Sequence, residues 1–175
     1  MPMKHKAIWA LGIAAFAALG GVAGYLFVYQ GNVVVNVKDA VGIWSHVNVT
    51  FSTVQIHRSG MDNATWDSIN VGTRTVDLAV LTNLSTLLGS ARLSPGHYEQ
   101  IRIMVTSATG VLASTGQSFT LNVTDGGVGK FVQQFDVRSM GTTTITIDVD
   151  LMASIVWTPA GHYNFTPVIG SVSVG

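Results

Sequence analysis

Residues 142–151 read TTTITIDVDL, and this stretch decides the fold class. Isoleucine, valine or leucine occupies positions 145, 147, 149 and 151, and threonine or aspartate lies between them. Successive side chains of a β-strand point to opposite faces, so a period of two indicates a strand with one buried and one solvated face. The stretch therefore predicts a strand of a sheet whose inner face covers a core.

The same period recurs along the chain. Val33, Val35 and Val37 alternate with Val34, Asn36 and Lys38. Residues 46–57 alternate until the pattern shifts near residues 52–53, which predicts a β-bulge. Turn residues separate about eight such segments. The expected fold is all-β, an antiparallel β-sandwich of about eight strands.

Residues 82–93 interrupt the strand pattern. Leu84, Leu87 and Leu88 have helical spacing, and Thr82 or Asn83 can cap the first turn. This segment predicts one short helical insertion in the β domain.

An apolar segment precedes the β pattern. Residues 7–29 carry no charged side chain, and Lys4 and Lys6 lie before them. A helix of this length can cross a bilayer, and the positive-inside rule places the N-terminus in the cytoplasm. We therefore predict a membrane anchor within residues 1–30 and an extracellular β-sandwich domain over residues 31–175.

Two details of the apolar segment leave alternatives open. A cleaved signal peptide also exports the domain, although the apolar run is longer than such peptides need. Gly20 and Gly24 form a GxxxG pair, a pattern that lets membrane helices approach closely. They are the candidate helix-packing residues.

The composition narrows the chemistry. The chain has no cysteine, which excludes disulfides and thiolate chemistry. Nine Lys and Arg balance nine Asp and Glu, so the chain has no basic field for nucleic acid. The five histidines show no metal-ligand spacing. We expect no metal or other cofactor.

The remaining candidates are modification and contact residues. Trp44 and Trp157 are candidate ligand aromatics, since exposed rings stack on sugars and on partner surfaces. Asp148 and Asp150 share one strand face and are interpreted as a solvated surface. Five Asn-x-Ser/Thr sequons are candidate glycosylation sites: Asn48, Asn63, Asn83, Asn122 and Asn164.

Four stretches together resemble a known family. They are VVVNVKDA at 33–40, LSPGHYEQIR at 93–102, IDVD at 147–150 and GHYNFTPVI at 161–169. They are similar to the DUF4382 type of domain of unknown function, which occurs in exported prokaryotic proteins. The resemblance implies a prealbumin-like β-sandwich at the cell surface and no known activity.

These observations favour a non-catalytic cell-surface protein, a structural or assembly subunit of the cell envelope or of a surface filament. Its partners are then the membrane, through residues 7–29, and other envelope proteins or copies of itself. Two alternatives remain: a surface module that binds glycans or proteins, and an accessory subunit of a membrane complex.

Overall fold

The structure, a computed structural model, describes residues 29–39, 42–61, 65–81 and 85–175. Over these residues the chain is all-β, and two sheets enclose one apolar core in a sandwich-like arrangement. The eleven strands in this part of the chain are β1 Gly31–Asp39, β2 Trp44–Arg58, β3 Trp66–Asp77, β4 Thr86–Leu93, β5 Gly96–Leu112, β6 Ser118–Val123, β7 Val128–Val137, β8 Thr142–Val149, β9 Ile155–Trp157, β10 Tyr163–Phe165 and β11 Ile169–Val174.

The strands divide into a small and a large sheet. The small sheet has the order β11-β8-β1-β4, and the seven-stranded sheet has the order β3-β2-β5-β6-β10-β9. Strand β7 also belongs to the large sheet and pairs with the first half of β5, while β6 pairs with the second half. Two 3₁₀ turns, Leu78–Val80 and Asp125–Gly127, and a one-turn helix α1, Leu151–Ser154, complete the fold.

The alternation predicted from sequence is confirmed. Val33, Val35 and Val37 of β1 are fully buried, and Ile145 and Ile147 of β8 lie beside them in the core. The bulge predicted in β2 is also present, as a register shift against both neighbouring strands between residues 51 and 53.

The strand count and the purely antiparallel arrangement were wrong. The described residues form eleven strands rather than about eight, and two pairs are parallel, β1 with β8 and β6 with β10. Each parallel pair joins strands that lie far apart in sequence, with connections that pass through the other sheet. Their directions are therefore set by crossovers and not by the hairpin turns that enforce antiparallel pairing.

The helical insertion was also wrong. Residues 86–93 form β4, which pairs antiparallel with β1. Leu88 is 1% exposed and Leu87 is 45% exposed, so the two neighbours lie on opposite faces of a strand. The segment forms a strand despite its helical leucine spacing, because pairing with β1 satisfies the backbone hydrogen bonds of β4 and buries Leu88. Residues 82–84 lie outside the described residues.

No helix in the described part of the chain is long and apolar enough to cross a bilayer. The predicted anchor, residues 7–29, lies outside the described residues apart from Tyr29, and so do Gly20 and Gly24. The anchor and its packing face therefore stay predictions.

Candidate functional site

The two candidate ligand tryptophans belong to one cluster of rings. Tyr163 lies between them, with its ring centroid 5.0 Å from that of Trp44 and 4.7 Å from that of Trp157, both in edge contact. Phe119 completes this aromatic cluster, 5.0 Å from Tyr163 and 6.3 Å from Trp44. Edge-to-face contacts of this kind favour a fixed ring arrangement.

Strand pairing places these rings. Tyr163 of β10 and Trp157 of β9 are direct antiparallel partners, so their side chains share one face of the large sheet. Trp44 begins β2 and packs against the β5 backbone at Gly110. A Cβ at Gly110 would lie 2.7 Å from two ring atoms of Trp44, so only glycine leaves room for the indole.

The two tryptophans differ in exposure. Trp44 is 7% exposed and is a core residue, whereas Trp157 is 53% exposed. The sequence does not distinguish them. In the structure, Trp44 supports the aromatic cluster from within, and Trp157 is the ring that a ligand or partner can reach. A third tryptophan, Trp66, is half-buried, and the Arg102 guanidinium lies 3.5 Å from its ring centroid.

Two further apolar side chains are exposed around the cluster. Met152 of α1 is 72% exposed, and Ile43 is 66% exposed. A Cβ on Gly42 would lie 3.9 Å from both the Met152 side chain and the Trp44 ring, so the segment that carries Ile43 runs between them. We call Ile43, Met152 and Trp157 the apolar patch.

The apolar patch lies at the end of the sandwich opposite the point where the chain enters it. The chain enters at Gly31, and β1 and β8 then run parallel from Asn32 beside Thr142 to Asp39 beside Val149. Ile43 follows the end of β1, and α1 follows the end of β8. At 3.3 Å per residue, the eight steps of β1 separate the two ends by about 26 Å.

The carboxylates near the apolar patch have structural partners. Asp150 caps α1, since its side chain accepts a hydrogen bond from the Ala153 N–H at 2.9 Å. Asp148 lies 3.1 Å from the Lys38 ammonium and accepts from the Ser171 hydroxyl at 3.3 Å. Both carboxylates thus connect neighbouring segments of the chain through local contacts.

Three histidines each lie beside one carboxylate. The nitrogen–oxygen distances are 2.6 Å for His46 and Asp77, 3.3 Å for His57 and Glu99, and 2.9 Å for His97 and Asp136. Each pair joins neighbouring strands at a different place on the large sheet. Among the described residues, no three His, Asp or Glu side chains come together as metal ligands.

One buried tyrosine has a perturbed acidity. Burial raises the pKa of Tyr98 from its ordinary value of 10.0 to about 12, and the nearby Asp67 carboxylate adds to the rise. The neutral hydroxyl has one proton, which the Ser94 carbonyl at 2.9 Å and the Asp67 carboxylate at 3.3 Å share as acceptors. Tyr98 thus ties the start of β5 to its neighbours as a structural donor.

A polar groove lies at the end of the sandwich where the chain enters it. It has a volume of about 430 Å³ and lies between β7 and the ends of β8 and β11, with Gln133, Asp136, Arg138 and Thr142 among its lining residues. Its walls are open and polar, whereas binding sites for small ligands are mostly enclosed and apolar. The apolar patch is therefore the stronger candidate for a functional surface.

Three of the five sequon asparagines lie in described residues. Asn48 is exposed on β2, Asn122 is exposed on β6, and Asn164 is half-buried on β10. Asn63 and Asn83 lie outside the described residues. Sequence reasoning treated the five separately and had no signal that would bring Asn122 and Asn164 together.

Comparison with family models gave a match over most of the chain. Residues 30–167 match the family described as "Domain of unknown function (DUF4382)", which confirms the resemblance drawn from sequence. Comparison with curated proteins and comparison with solved structures each gave no match.

Proposed function

The chain belongs to the DUF4382 family of domains of unknown function, and from its surface we propose a docking role. In this proposal the protein is a non-catalytic assembly subunit of the cell surface, held by its N-terminal apolar segment. Its apolar patch binds a partner protein that lies farther from the membrane.

The exposure of the apolar patch carries the proposal. Three large apolar side chains, each more than half exposed, lie around a cluster of packed rings. A group of neighbouring exposed apolar side chains marks a contact surface, whereas a single exposed one such as Val132 does not. Tryptophan and methionine are enriched in protein interfaces, and a ring fixed by its neighbours loses little entropy on binding.

The position of the apolar patch supports a partner protein that lies outside the membrane. If residues 7–29 anchor the chain, Gly31 marks the membrane side of the domain, and the apolar patch lies about 26 Å further along β1. A surface at the far end is available to a protein outside the membrane. It is poorly placed to contact a helix within the membrane, so the position favours an assembly subunit over an accessory subunit packed through its anchor.

A pair of variants with a matched control tests the proposal. Met152→Glu places a charge in the patch, and Trp157→Ala removes its exposed ring. Val132→Glu is the control, because Val132 is 74% exposed on β7, outside the patch. Each protein is purified from its own membranes in mild detergent, and the particle mass is measured. Circular dichroism checks that each variant is folded.

We expect the unaltered protein and V132E to purify as particles heavier than one chain with its detergent. We expect M152E and W157A to purify as single chains. A single-chain mass for the unaltered protein contradicts the proposal, and so does an unchanged particle mass in M152E. A single chain that binds polysaccharide through Trp157 supports the alternative of a glycan-binding module.

A further inference from the structure

The outer face of the seven-stranded sheet carries all three sequon asparagines that the structure describes. We propose that this face is N-glycosylated, at Asn48 and at Asn122, and that Asn164 is excluded from modification whenever Asn122 carries a glycan. This inference concerns a different surface from the apolar patch; it rests on the proposed extracellular location of the domain and not on the docking role.

Alternation along each strand directs these asparagines outward. Asn48 lies between Val47 and Val49, which are both fully buried, so its side chain points away from the core. Asn122 follows the buried Leu121, and it is exposed. Asn164 precedes Phe165, which is fully buried, and therefore faces outward as well. All three amides thus emerge on one side of one sheet.

Two of the sequons lie side by side in register. Strands β6 and β10 are parallel, and Asn164 is the direct partner of Asn122. The Asn122 amide donates to the Asn164 side-chain oxygen at 3.2 Å. The threonines of the two sequons, Thr124 and Thr166, also form a hydrogen bond through their hydroxyls. The two acceptor sequences therefore form a double ladder on the surface.

The surroundings of this ladder are nearly free of charge. On the β5 side of the ladder, the strand partners on the same face are serine or threonine: Thr50, Thr75, Ser107, Thr109 and Thr120. On the other side, Asn164 pairs with Val156 of β9, which is 55% exposed. The Asp77 carboxylate at one side lies 2.6 Å from the His46 ring. The whole chain has a formal net charge of zero, so charge repulsion contributes little to its solubility. Covalently attached sugars supply the solvation that charge does not.

The transfer itself requires a sugar donor outside this chain, an oligosaccharide linked to a lipid phosphate. A bond forms between the anomeric carbon of the sugar and the side-chain nitrogen of asparagine. The bond between that carbon and the phosphate oxygen breaks, the lipid phosphate leaves with the bonding electrons, and the amide nitrogen releases one proton. No oxidation or reduction occurs, and the protein supplies only the acceptor.

The double ladder limits the outcome to one glycan. Neighbouring strands are about 4.8 Å apart, so two sugars attached directly opposite each other would compete for one space. The Asn122 nitrogen carries two protons, and after transfer the remaining proton can still donate to Asn164. Because Asn122 is exposed and Asn164 is half-buried, Asn122 is the favoured acceptor.

Peptide mapping of the protein from its own cells tests the sites. Cleavage after lysine and arginine places each of the five sequons in a separate peptide, namely 39–58, 59–74, 75–92, 103–130 and 139–175. We expect peptides 39–58 and 103–130 to carry a glycan mass. If either peptide is found only in its unmodified form, the proposal is overturned at that asparagine, without any need for a variant.

The intact mass tests the exclusion. In an N48Q/N63Q/N83Q background, only Asn122 and Asn164 remain as acceptors, and we expect at most one glycan per molecule. Asn122→Gln removes that glycan or moves it to Asn164, whereas Thr124→Ser keeps both the acceptor sequence and the hydroxyl and leaves the mass gain unchanged. A species with two glycans in this background contradicts the exclusion.

Discussion

Replacing Gly110 with alanine tests the architecture of the aromatic cluster. The added methyl would lie 2.7 Å from the Cε3 and Cζ3 atoms of Trp44, well inside van der Waals contact. The indole is 7% exposed and touches both Tyr163 and Phe119, so it has little room to move away. Overpacking of a filled core costs about 1–3 kcal/mol, and we expect a loss of about 2 kcal/mol in the free energy of unfolding.

Gly170→Ala is the matched control. Gly170 also lies in a strand, and its added methyl would meet the Asp150 Cβ at 3.5 Å, an ordinary contact. Both Gly→Ala changes lower the conformational entropy of the unfolded chain by the same amount. The difference between their free energies of unfolding therefore reports the contacts of each added methyl in the folded protein. We expect Gly170→Ala to change the free energy of unfolding by less than about 0.5 kcal/mol.

Urea unfolding followed by far-ultraviolet circular dichroism measures the loss, and near-ultraviolet circular dichroism reports the ring arrangement. A Trp44→Leu replacement in the G110A background removes the clash, so we expect the two changes to be strongly non-additive. Equal stability of G110A and G170A, with an unchanged near-ultraviolet spectrum, refutes the packing of Trp44 on Gly110.

Three further changes probe the fold. The pKa of Tyr98 is about 12 in the folded protein and 10.0 in the unfolded chain, so the free energy of unfolding falls by about 2–3 kcal/mol as the pH rises from 10 to 12. Tyr98→Phe is expected to abolish this fall, which urea titrations at a series of pH values measure. Gly127→Ala is expected to prevent stable folding, since Gly127 has φ +68° and a Cβ there would lie 2.0 Å from the Val105 carbonyl oxygen. If the variant has the same urea unfolding midpoint as the parent, the turn at Asp125–Gly127 is not packed against Val105 as described. Leu88→Ala is expected to lower the free energy of unfolding by about 2–4 kcal/mol, and Leu87→Ala by less than about 0.5 kcal/mol, because only Leu88 faces the core. Equal losses on urea unfolding would mean that both leucines are buried, as in a helix and not as in β4.

The sequence predicts those strands whose two faces differ in polarity. In β1 and β8, buried valines and isoleucines alternate with residues that are polar except for Val34, and a period of two is enough to identify both strands. The register shift in β2 was equally visible, because it changes which positions are apolar. Local patterns of this kind need no knowledge of the partner strand.

Pairings between distant segments cannot be predicted in the same way. The spacing of Leu84, Leu87 and Leu88 fits a helix, and only the neighbouring β1 makes residues 86–93 a strand. The parallel alignment of β6 and β10 likewise brings Asn122 beside Asn164, although 42 positions separate them in sequence. Which partner a strand finds depends on the packing of the whole domain.

The candidate site was predicted in part. Two tryptophans were singled out by residue type, but type alone does not distinguish Trp44, which supports the cluster, from Trp157, which is exposed. Nothing in the sequence marks Met152 and Ile43 as part of an exposed patch, because single apolar residues at the ends of strands are common in any sequence. Their grouping follows from β1 and β8 running in the same direction.

Thiol labelling in native membranes tests the docking role most directly. The chain has no cysteine, so Met152→Cys and Val132→Cys each introduce one unique thiol, at exposed positions inside and outside the apolar patch. A membrane-impermeant maleimide is applied to intact membranes and to single chains that a stronger detergent has separated from their partner, with circular dichroism checking that these chains stay folded. We expect M152C to react slowly in membranes and rapidly after separation from the partner, and V132C to react at the same rate in both. Equal rates for M152C in the two preparations contradict a partner at the apolar patch.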